Sequence, residues 1–169
     1  GCGRKSEQVV TSKIRKPKNV IYLIGDGMGL NQLYAGMTAN GGMLNIERCT
    51  HTGLAKTYSA SSYITDSAAG GTALATGNKT NNGMIGMNAD SVAVKSILEL
   101  AEEAGMATGL VATVRITHAT PAAFYAHQVN RSMYEEIATD MLTSGVDFFV
   151  GGGRNNFEVR KDSLNISDS

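Results

Sequence analysis

From residue 19 onward, short runs of apolar residues alternate with segments that mix apolar and polar positions. Residues 20–24 form an uninterrupted apolar run, and residues 108–114 and 146–150 are mostly apolar. All three segments have the length of buried strands. Residues 54–60 are a fourth candidate strand. Because the segments between these runs have helical spacing, the pattern predicts an α/β fold with a parallel sheet.

The same pattern predicts the helices. They are expected over residues 30–39, 67–76 and 132–143. A fourth helix is the most regular, since apolar residues follow the i, i+3, i+4, i+7 spacing from Val94 to Ala101, and Gly105 then ends it. The stretch between residues 77 and 88 is rich in Gly and Asn and is predicted to be a loop.

The two ends of the chain differ from its middle. Residues 1–18 contain six basic residues and one acid, and we interpret them as a flexible basic tail or linker. Residues 19–169 are interpreted as one folded unit, although the polar segment after Arg154 contains no element that would close a sheet. We therefore expect the native protein to continue beyond Ser169.

Composition excludes some classes of function. Lys plus Arg equals Asp plus Glu, at 15 each, so the net charge gives no general attraction to nucleic acid or an anionic membrane. No apolar run reaches the roughly 18 residues of a membrane span. The two cysteines are too few for a disulfide framework. Cys2 fits a lipid-modified N-terminus and a free thiol on a tail equally well.

Candidate chemistry lies just past the predicted strands, where open α/β sheets place their sites. Asp26 stands in the sequence Gly-Asp-Gly-Met-Gly after the first strand. A carboxylate between glycines can approach a cation closely, whereas an aspartate in a turn can also cap the next helix. A dinucleotide loop fits poorly, because Leu30 stands where the third glycine of G-x-G-x-x-G is needed.

A serine stands at the start of the second predicted helix. Asp66 and Ser67 are ordinary residues for a helix N-cap. In the same position a serine hydroxyl would lie in the positive field of the helix N-terminus, which also favours phosphate. A hydroxyl needs a base or a metal ion to react at neutral pH. Both interpretations of Ser67, cap and nucleophile, are therefore open from spacing alone.

Three further polar residues follow the strand predicted at 108–114. Pro121 suits the first position of a helix, which makes Thr120 the predicted N-cap. His118 could bind a metal ion or a metal-bound water, or be structural. Arg131 carries a guanidinium fork that can hold two phosphate oxygens, although a single arginine is more often a surface charge.

Taken in order, these segments resemble the alkaline phosphatase family from about Lys18 to Phe157. The most specific part is the run from Ile64 to Thr72, in which Asp-Ser is followed by small residues and Gly-Thr. Gly-Asp-Gly-Met-Gly precedes it and His-Ala-Thr-Pro-Ala-Ala follows it. The resemblance implies a three-layer α/β sandwich with a largely parallel central sheet, of which residues 19–169 are the N-terminal part.

The resemblance also implies an activity and the residues that perform it. The expected reaction is metal-dependent hydrolysis of phosphate monoesters at alkaline pH, with release of inorganic phosphate. Ser67 corresponds to the nucleophile that becomes a covalent phosphoserine. Arg131 corresponds to the arginine that grips the substrate phosphate, and Asp66 to the neighbour that orients this arginine.

The cofactors implied by the resemblance are two Zn²⁺ and one Mg²⁺ in the complete enzyme. Asp26 corresponds to the carboxylate that bridges one zinc and the magnesium, and Thr120 to a magnesium ligand. Ser67 corresponds to a group that a zinc ion activates. His118 stands at a position beside the metals that is Asp in some members and His in others.

The chain departs from the family pattern in one respect. The remaining Asp and His ligands of a complete site are missing, and His127, which we interpret as structural like His51, is the last histidine. We expect these 169 residues alone to be inactive. The alternatives are a phosphodiesterase or sulfatase of the same superfamily, or a non-catalytic metal- or phosphate-binding fragment. Arg131 favours the monoester, because it occupies space that a second ester group would need.

The resemblance also implies a setting for the protein. A periplasmic or extracellular location is expected, with possible lipid anchoring through Cys2. The family is commonly dimeric, so a homodimer is expected, although no residue of this sequence identifies the interface.

Overall fold

Five α-helices and two strands are formed by residues 17–158, the part of the chain that the computed structural model describes. The helices are α1 (Leu30–Ala39), α2 (Ser67–Thr76), α3 (Ile97–Glu103), α4 (Ala119–Ala122) and α5 (Tyr134–Thr143). The strands are β1 (Gly109–Arg115) and β2 (Phe148–Gly152), and short 3₁₀ turns occupy Asn45–Arg48 and Arg154–Asn156. Nearly all of the predicted tail, including Cys2, lies outside the described residues.

The order of these elements confirms the α/β class. β1 and β2 pair in parallel, with Leu110 opposite Phe149, and α5 lies in the connection between them. The predicted bounds of α1 and α2 are confirmed. β1 and α5 begin one and two residues later than predicted, at Gly109 and Tyr134.

Two predicted strands are wrong for the described residues. Residues 20–24 and 54–60 lie outside the sheet, and most of their apolar side chains are exposed, although Ile24 packs against the core. A strand needs a neighbouring strand with which to form a ladder of hydrogen bonds. Within residues 17–158, neither segment pairs with a neighbouring strand. The strand predicted at 146–150 is present but begins and ends two residues later, as β2, and its residues are exposed where burial was predicted.

Helix α3 is defined by caps at both ends. Ser96 Oγ accepts from the Glu99 backbone N–H at 3.1 Å, and Glu99 Oε2 accepts from the Ser96 N–H at 2.7 Å. This capping box places the helix start three residues after Val94, where the apolar spacing begins. Gly105 confirms the predicted stop, since its N–H donates to Glu102 O and the chain reverses there.

The core brings α2 and α4 into close contact. Its fully buried side chains include Ala68, Ile85, Ile116 and Ile137. A Cβ atom added at Gly71 of α2 would lie 3.3 Å from both the Thr120 Cα and the Ala123 Cβ of α4. Only glycine permits this approach without displacement. The packing therefore brings the helix that begins at Ser67 against the helix that carries Thr120.

Apolar surface remains open on one side of the described residues. A cavity of about 670 Å³ lies between residues 19–26, α3 and β1, and its lining includes Asp26 and Thr120. The exposed side chains of Val20 and Val111 are part of its lining. No helix within residues 17–158 combines the length and apolar character required to cross a membrane.

Candidate active site

Asp26 gathers two hydroxyl groups from distant parts of the chain. It lies in the turn that Met28 closes by donating its N–H to Gly25 O at 3.1 Å. Ser67 Oγ donates to Asp26 Oδ1 at 3.2 Å, and Thr120 Oγ1 donates to Asp26 Oδ2 at 2.8 Å. Ser67 and Thr120 lie 41 and 94 positions after Asp26 in the sequence, and the fold brings their side chains to the same carboxylate.

Ser67 is the first residue of α2 and is not its cap. The N-cap is Asp66, whose Oδ1 accepts from the Ala69 N–H at 2.9 Å. Because Asp66 accepts from one free N–H of the first turn and so serves as the cap, the Ser67 hydroxyl is not needed for capping and donates to Asp26. It lies at the positive end of the helix, where a developing negative charge is stabilised.

The second oxygen of Asp66 holds Arg131. Arg131 Nη1 donates to Asp66 Oδ2 at 3.0 Å, and both side chains are about one-quarter exposed, at 27% and 25%. The backbone N–H of Gly83 donates to the same oxygen, also at 3.0 Å. The pair is charge-assisted and partly shielded from water, so it fixes the guanidinium beside the start of α2.

The prediction that Thr120 is the N-cap of the helix containing Pro121 is wrong. His118 is the N-cap of α4, and Thr120 and Pro121 lie inside its first turn. Proline is tolerated there because the first N–H groups of a helix have no partner within it. Thr120 is not needed as a cap, and its hydroxyl instead donates to Asp26.

His118 lies beside the arginine. Its Nε2 is 3.4 Å from Arg131 Nη2, and because a guanidinium only donates, this nitrogen is the acceptor. Burial lowers the pKa of His118, and the positive charge of Arg131 lowers it further. Its Nδ1 is buried and has no hydrogen-bond partner among residues 17–158. The ring is therefore neutral near pH 7, with its proton assigned to Nδ1.

The oxygens around Asp26 fit part of a divalent-cation site. One carboxylate and two hydroxyls are the oxygen donors that hard cations prefer. Within residues 17–158 there is no group of three His, Cys, Asp or Glu side chains that could hold a metal ion. A zinc site usually has at least three protein ligands, so these residues supply only a portion of one.

The sequence did not identify Asn82 and Gly83, which lie within the predicted loop. Asn82 Oδ1 accepts from the Asp66 N–H at 3.2 Å, and Gly83 bonds to the Asp66 carboxylate. These contacts join positions 16 and 17 residues apart, which no local spacing rule can reveal. The interpretation of His127 as structural is supported, because its ring bonds to Gly86 O and Glu99.

Comparison with known proteins places this arrangement in a family. The sequence matches the alkaline phosphatase family over residues 17–168. It is 43% identical to alkaline phosphatase 4 of Bacillus subtilis over 160 residues, which cover 86% of this chain and 34% of that protein. It is 40% identical to the alkaline phosphatase of Escherichia coli, covering 80% of this chain and 31% of that protein. The chain thus spans about a third of the length of these relatives.

Solved structures give the same result. The alkaline phosphatase of the Antarctic bacterium TAB5 superposes with a TM-score of 0.77 and 48% identity, covering 83% of this chain and 40% of that one. A mutant of that enzyme with Mg bound in its M3 site has a TM-score of 0.78 and 49% identity, covering 83% and 41% of the two chains. The chain is therefore similar to these two alkaline phosphatase structures in both fold and sequence.

Proposed function

The chain belongs to the alkaline phosphatase family, and we propose that the protein that carries it hydrolyses phosphate monoesters through a covalent phosphoserine at Ser67. The observation that carries this proposal is the position of the Ser67 hydroxyl, at the N-terminus of α2 and 3.2 Å from Asp26 Oδ1. A hydroxyl in this setting has a hydrogen-bond acceptor for its proton and a positive field for its negative charge.

The proposed reaction consists of two displacements at phosphorus. Ser67 Oγ attacks the phosphorus of the monoester, the bond between phosphorus and the ester oxygen breaks, and the alcohol leaves with a proton. Water then attacks the phosphorus of phosphoserine, which releases inorganic phosphate and restores the Ser67 hydroxyl. Most catalysis of this type comes from positioning and electrostatic stabilisation.

Arg131 is proposed to hold the phosphoryl oxygens. Its guanidinium is fixed by Asp66, the residue next to Ser67 in the chain, so the clamp and the nucleophile share one support. A planar fork binds two oxygens at once and thereby orients the phosphorus toward the attacking atom. His118 is neutral and bonds to the same guanidinium, so it adds no competing positive charge.

Asp26, Thr120 and Ser67 are proposed to hold part of a set of divalent ions, two Zn²⁺ and one Mg²⁺, with His118 beside them. Such ions, when bound, lower the pKa of a coordinated hydroxyl and neutralise charge on the phosphoryl oxygens. The contribution of this chain is to hold two hydroxyls on one carboxylate. Because residues 17–158 lack the other ligands, the 169 residues alone are expected to be inactive.

The remaining aspects of function are also proposals. A periplasmic or extracellular location, a homodimer and lipid anchoring through Cys2 fit an exported hydrolase. Inorganic phosphate, the product, is expected to compete with the monoester for Arg131, because both present the same oxygens to the guanidinium.

Replacing the nucleophile tests the proposal. In the metal-loaded protein that carries this sequence, Ser67→Ala should lower kcat for a phosphate monoester by at least about 10³-fold, because no other hydroxyl replaces the attacking oxygen. Ser91→Ala, at an exposed serine in the loop before α3, is the matched control and should leave kcat unchanged. Normal turnover by Ser67→Ala, or faster hydrolysis of a diester than of a monoester by the unmodified protein, would refute the proposal.

A further inference from the structure

Residues 82–86, which we name the bridging loop, are anchored to the turn that precedes Ser67. Asn82 Oδ1 accepts from the Asp66 N–H at 3.2 Å, while its Nδ2 donates to Ile64 O at 3.0 Å. The Asn82 backbone N–H donates to Ser61 Oγ, also at 3.0 Å. One exposed asparagine thus bonds to backbone groups on both sides of Thr65.

The next residue of the bridging loop connects this turn to the arginine. The Gly83 N–H donates to Asp66 Oδ2 at 3.0 Å, and the Gly83 carbonyl accepts from the Arg131 N–H at 2.7 Å. Arg131 Nη1 donates to the same Asp66 oxygen. Gly83, Asp66 and Arg131 therefore form a closed ring of three hydrogen bonds that includes both ends of the arginine.

The far end of the bridging loop is attached to the segment that leads to Arg131. Ile85 and Gln128 exchange backbone hydrogen bonds of 2.9 and 3.0 Å in an antiparallel bridge. His127 Nδ1 donates to Gly86 O at 2.7 Å. With attachments at both ends, the loop has little freedom to move relative to either the Ser67 turn or the arginine segment.

We propose that Asn82 and Gly83 are positioning residues that keep the Asp66–Arg131 pair in register with Ser67. This role rests on the proposed phosphomonoesterase function and deepens it. Neither residue touches the reacting atoms. Asn82 acts through the Asp66 backbone, and Gly83 acts through the Asp66 carboxylate and the Arg131 backbone. Because a misplacement of about 1 Å far from the chemistry can lower a rate by about 100-fold, loss of this link should weaken the grip on phosphate.

Asn81 is a natural control for Asn82. The two residues are adjacent and identical in type, but Asn81 Nδ2 donates to Ala89 O at 3.2 Å, within the same stretch of loop. Its side chain also lies 3.9 Å from Met84 Sδ in the bridging loop but bonds to neither the Ser67 turn nor Asp66. Replacing it therefore removes a hydrogen bond of similar kind and leaves the hydrogen bonds between Asn82, Gly83 and Asp66 in place. Since Asn82 is exposed, its replacement by alanine opens no cavity and should leave the fold intact.

The first experiment compares Asn82→Ala and Asn81→Ala in the metal-loaded protein that carries this sequence. We expect Asn82→Ala to lower kcat/KM for a monoester by about tenfold and to raise the inhibition constant of inorganic phosphate by a similar factor. Asn81→Ala should change kcat/KM and the inhibition constant by no more than about twofold each. Its shift of the unfolding midpoint should be similar to that of Asn82→Ala. Equal kinetic losses in the two variants would overturn the proposal.

A double-mutant cycle separates positioning from general support of the fold. If Asn82 acts through Arg131, adding Asn82→Ala to Arg131→Ala should lower kcat/KM by less than about twofold further, because the positioned group is already gone. A full tenfold loss in both backgrounds would contradict the positioning role. Failure of the phosphoserine mechanism would appear instead as activity in Ser67→Ala. The cycle uses only the Asn82 and Arg131 variants, so the two failures can be distinguished.

Gly83 provides a second test that requires no side chain. Its φ of +89° is unfavourable for any residue with a Cβ, although an added Cβ would meet no atom within 4 Å. Gly105, with φ +70° and the same open surroundings, is the matched control. Gly83→Ala should weaken phosphate inhibition severalfold while Gly105→Ala does not, although both lower the unfolding midpoint. Unchanged inhibition in a folded Gly83→Ala protein would overturn the proposal.

Discussion

At the scale of residues, two aspartates divide their oxygens between separate partners. Asp66 uses Oδ1 to cap α2 and Oδ2 to hold Arg131. Asp26 uses one oxygen for Ser67 and the other for Thr120. Each carboxylate therefore contributes in two ways: its negative charge binds its partners, and the positions of its two oxygens hold those partners in place.

Removing the charge of Asp26 while retaining its shape should separate these two contributions. We expect Asp26→Asn to lower kcat/KM by at least about 100-fold, because an amide is a poor ligand for a divalent ion and cannot accept at both atoms. Titration calorimetry with Mg²⁺ should show weaker binding. Asp90→Asn, at an exposed loop aspartate, is the control. Wild-type values for both kinetics and binding would contradict the assignment of Asp26.

The sequence alone identified residues that the fold brings together. Asp26, Ser67 and Thr120 meet directly, as do Asp66, Arg131 and His118, although their catalytic roles remain predictions. Residue type and spacing alone left these residues open between structural and functional interpretations, and the resemblance to the family is what identified them as a set. Asn82 was not identified, because an asparagine in a polar loop has no distinguishing mark until its partner, 16 residues away, is seen.

At the scale of elements, α3 and the segment before Arg131 are joined by a charged pair. His127 Nε2 lies 2.9 Å from Glu99 Oε1, and Nδ1 lies 2.7 Å from the Gly86 carbonyl, so both ring nitrogens face acceptors and the arrangement favours the protonated, positively charged ring. The hydrogen bond to Glu99 raises the pKa of His127, against the effect of burial. Burial would raise the pKa of Glu99, but the hydrogen bonds from His127 and Ser96 lower it.

These opposite shifts give a definite dependence of stability on pH. The stabilisation from His127 is complete below its ordinary pKa of 6.5 and is lost as the pH rises through its higher folded-state pKa. The stabilisation from Glu99 is complete above 4.5 and is lost as the pH falls through its lower folded-state pKa. The pair therefore stabilises the fold most between about pH 4.5 and 6.5.

Glu99→Gln should therefore lower the free energy of unfolding by about 1 kcal/mol near pH 5.5 and by less near pH 9, as measured by urea denaturation. Glutamine can still serve in the capping box, so the change reports the charge. The control is Glu103→Gln on the same helix, whose partner Lys95 is exposed; it should show little loss at either pH. The same loss at both pH values for Glu99→Gln would contradict a charged His127.

Secondary structure was predicted well where the signals are local. α2 follows from small residues after Asp-Ser, and α3 from apolar spacing and the stop at Gly105, although the capping box at Ser96 gives α3 a later start than the spacing predicts. Residues 20–24 and 54–60 were wrongly predicted as strands in the described structure, because an apolar run specifies burial but not the neighbour that a ladder requires. The sequence did not predict His118 as the N-cap of α4, because a threonine followed by a proline is the more typical start of a helix.

At the scale of the whole molecule, the described residues bring together part of the proposed site beside an open apolar cavity. The chain spans about a third of the length of its relatives. The apolar cavity beside β1 leads to Asp26 and Thr120, where further ligands would be needed. The proposed nucleophile Ser67, the proposed phosphate clamp Arg131 and the carboxylate of Asp26 are thus held by hydrogen bonds within the described residues, whereas the proposed metal site would need ligands beyond residues 17–158.

The central claim is that the Ser67 oxygen becomes bonded to phosphorus during turnover. The most direct measurement is to quench the metal-loaded protein with acid during hydrolysis of a phosphate monoester and to locate the bound phosphoryl group by peptide mass spectrometry. We predict one phosphoryl group on the peptide that contains Ser67, and none on the same peptide of Ser67→Ala. A phosphoryl group on another residue, or normal turnover by Ser67→Ala, would contradict the account.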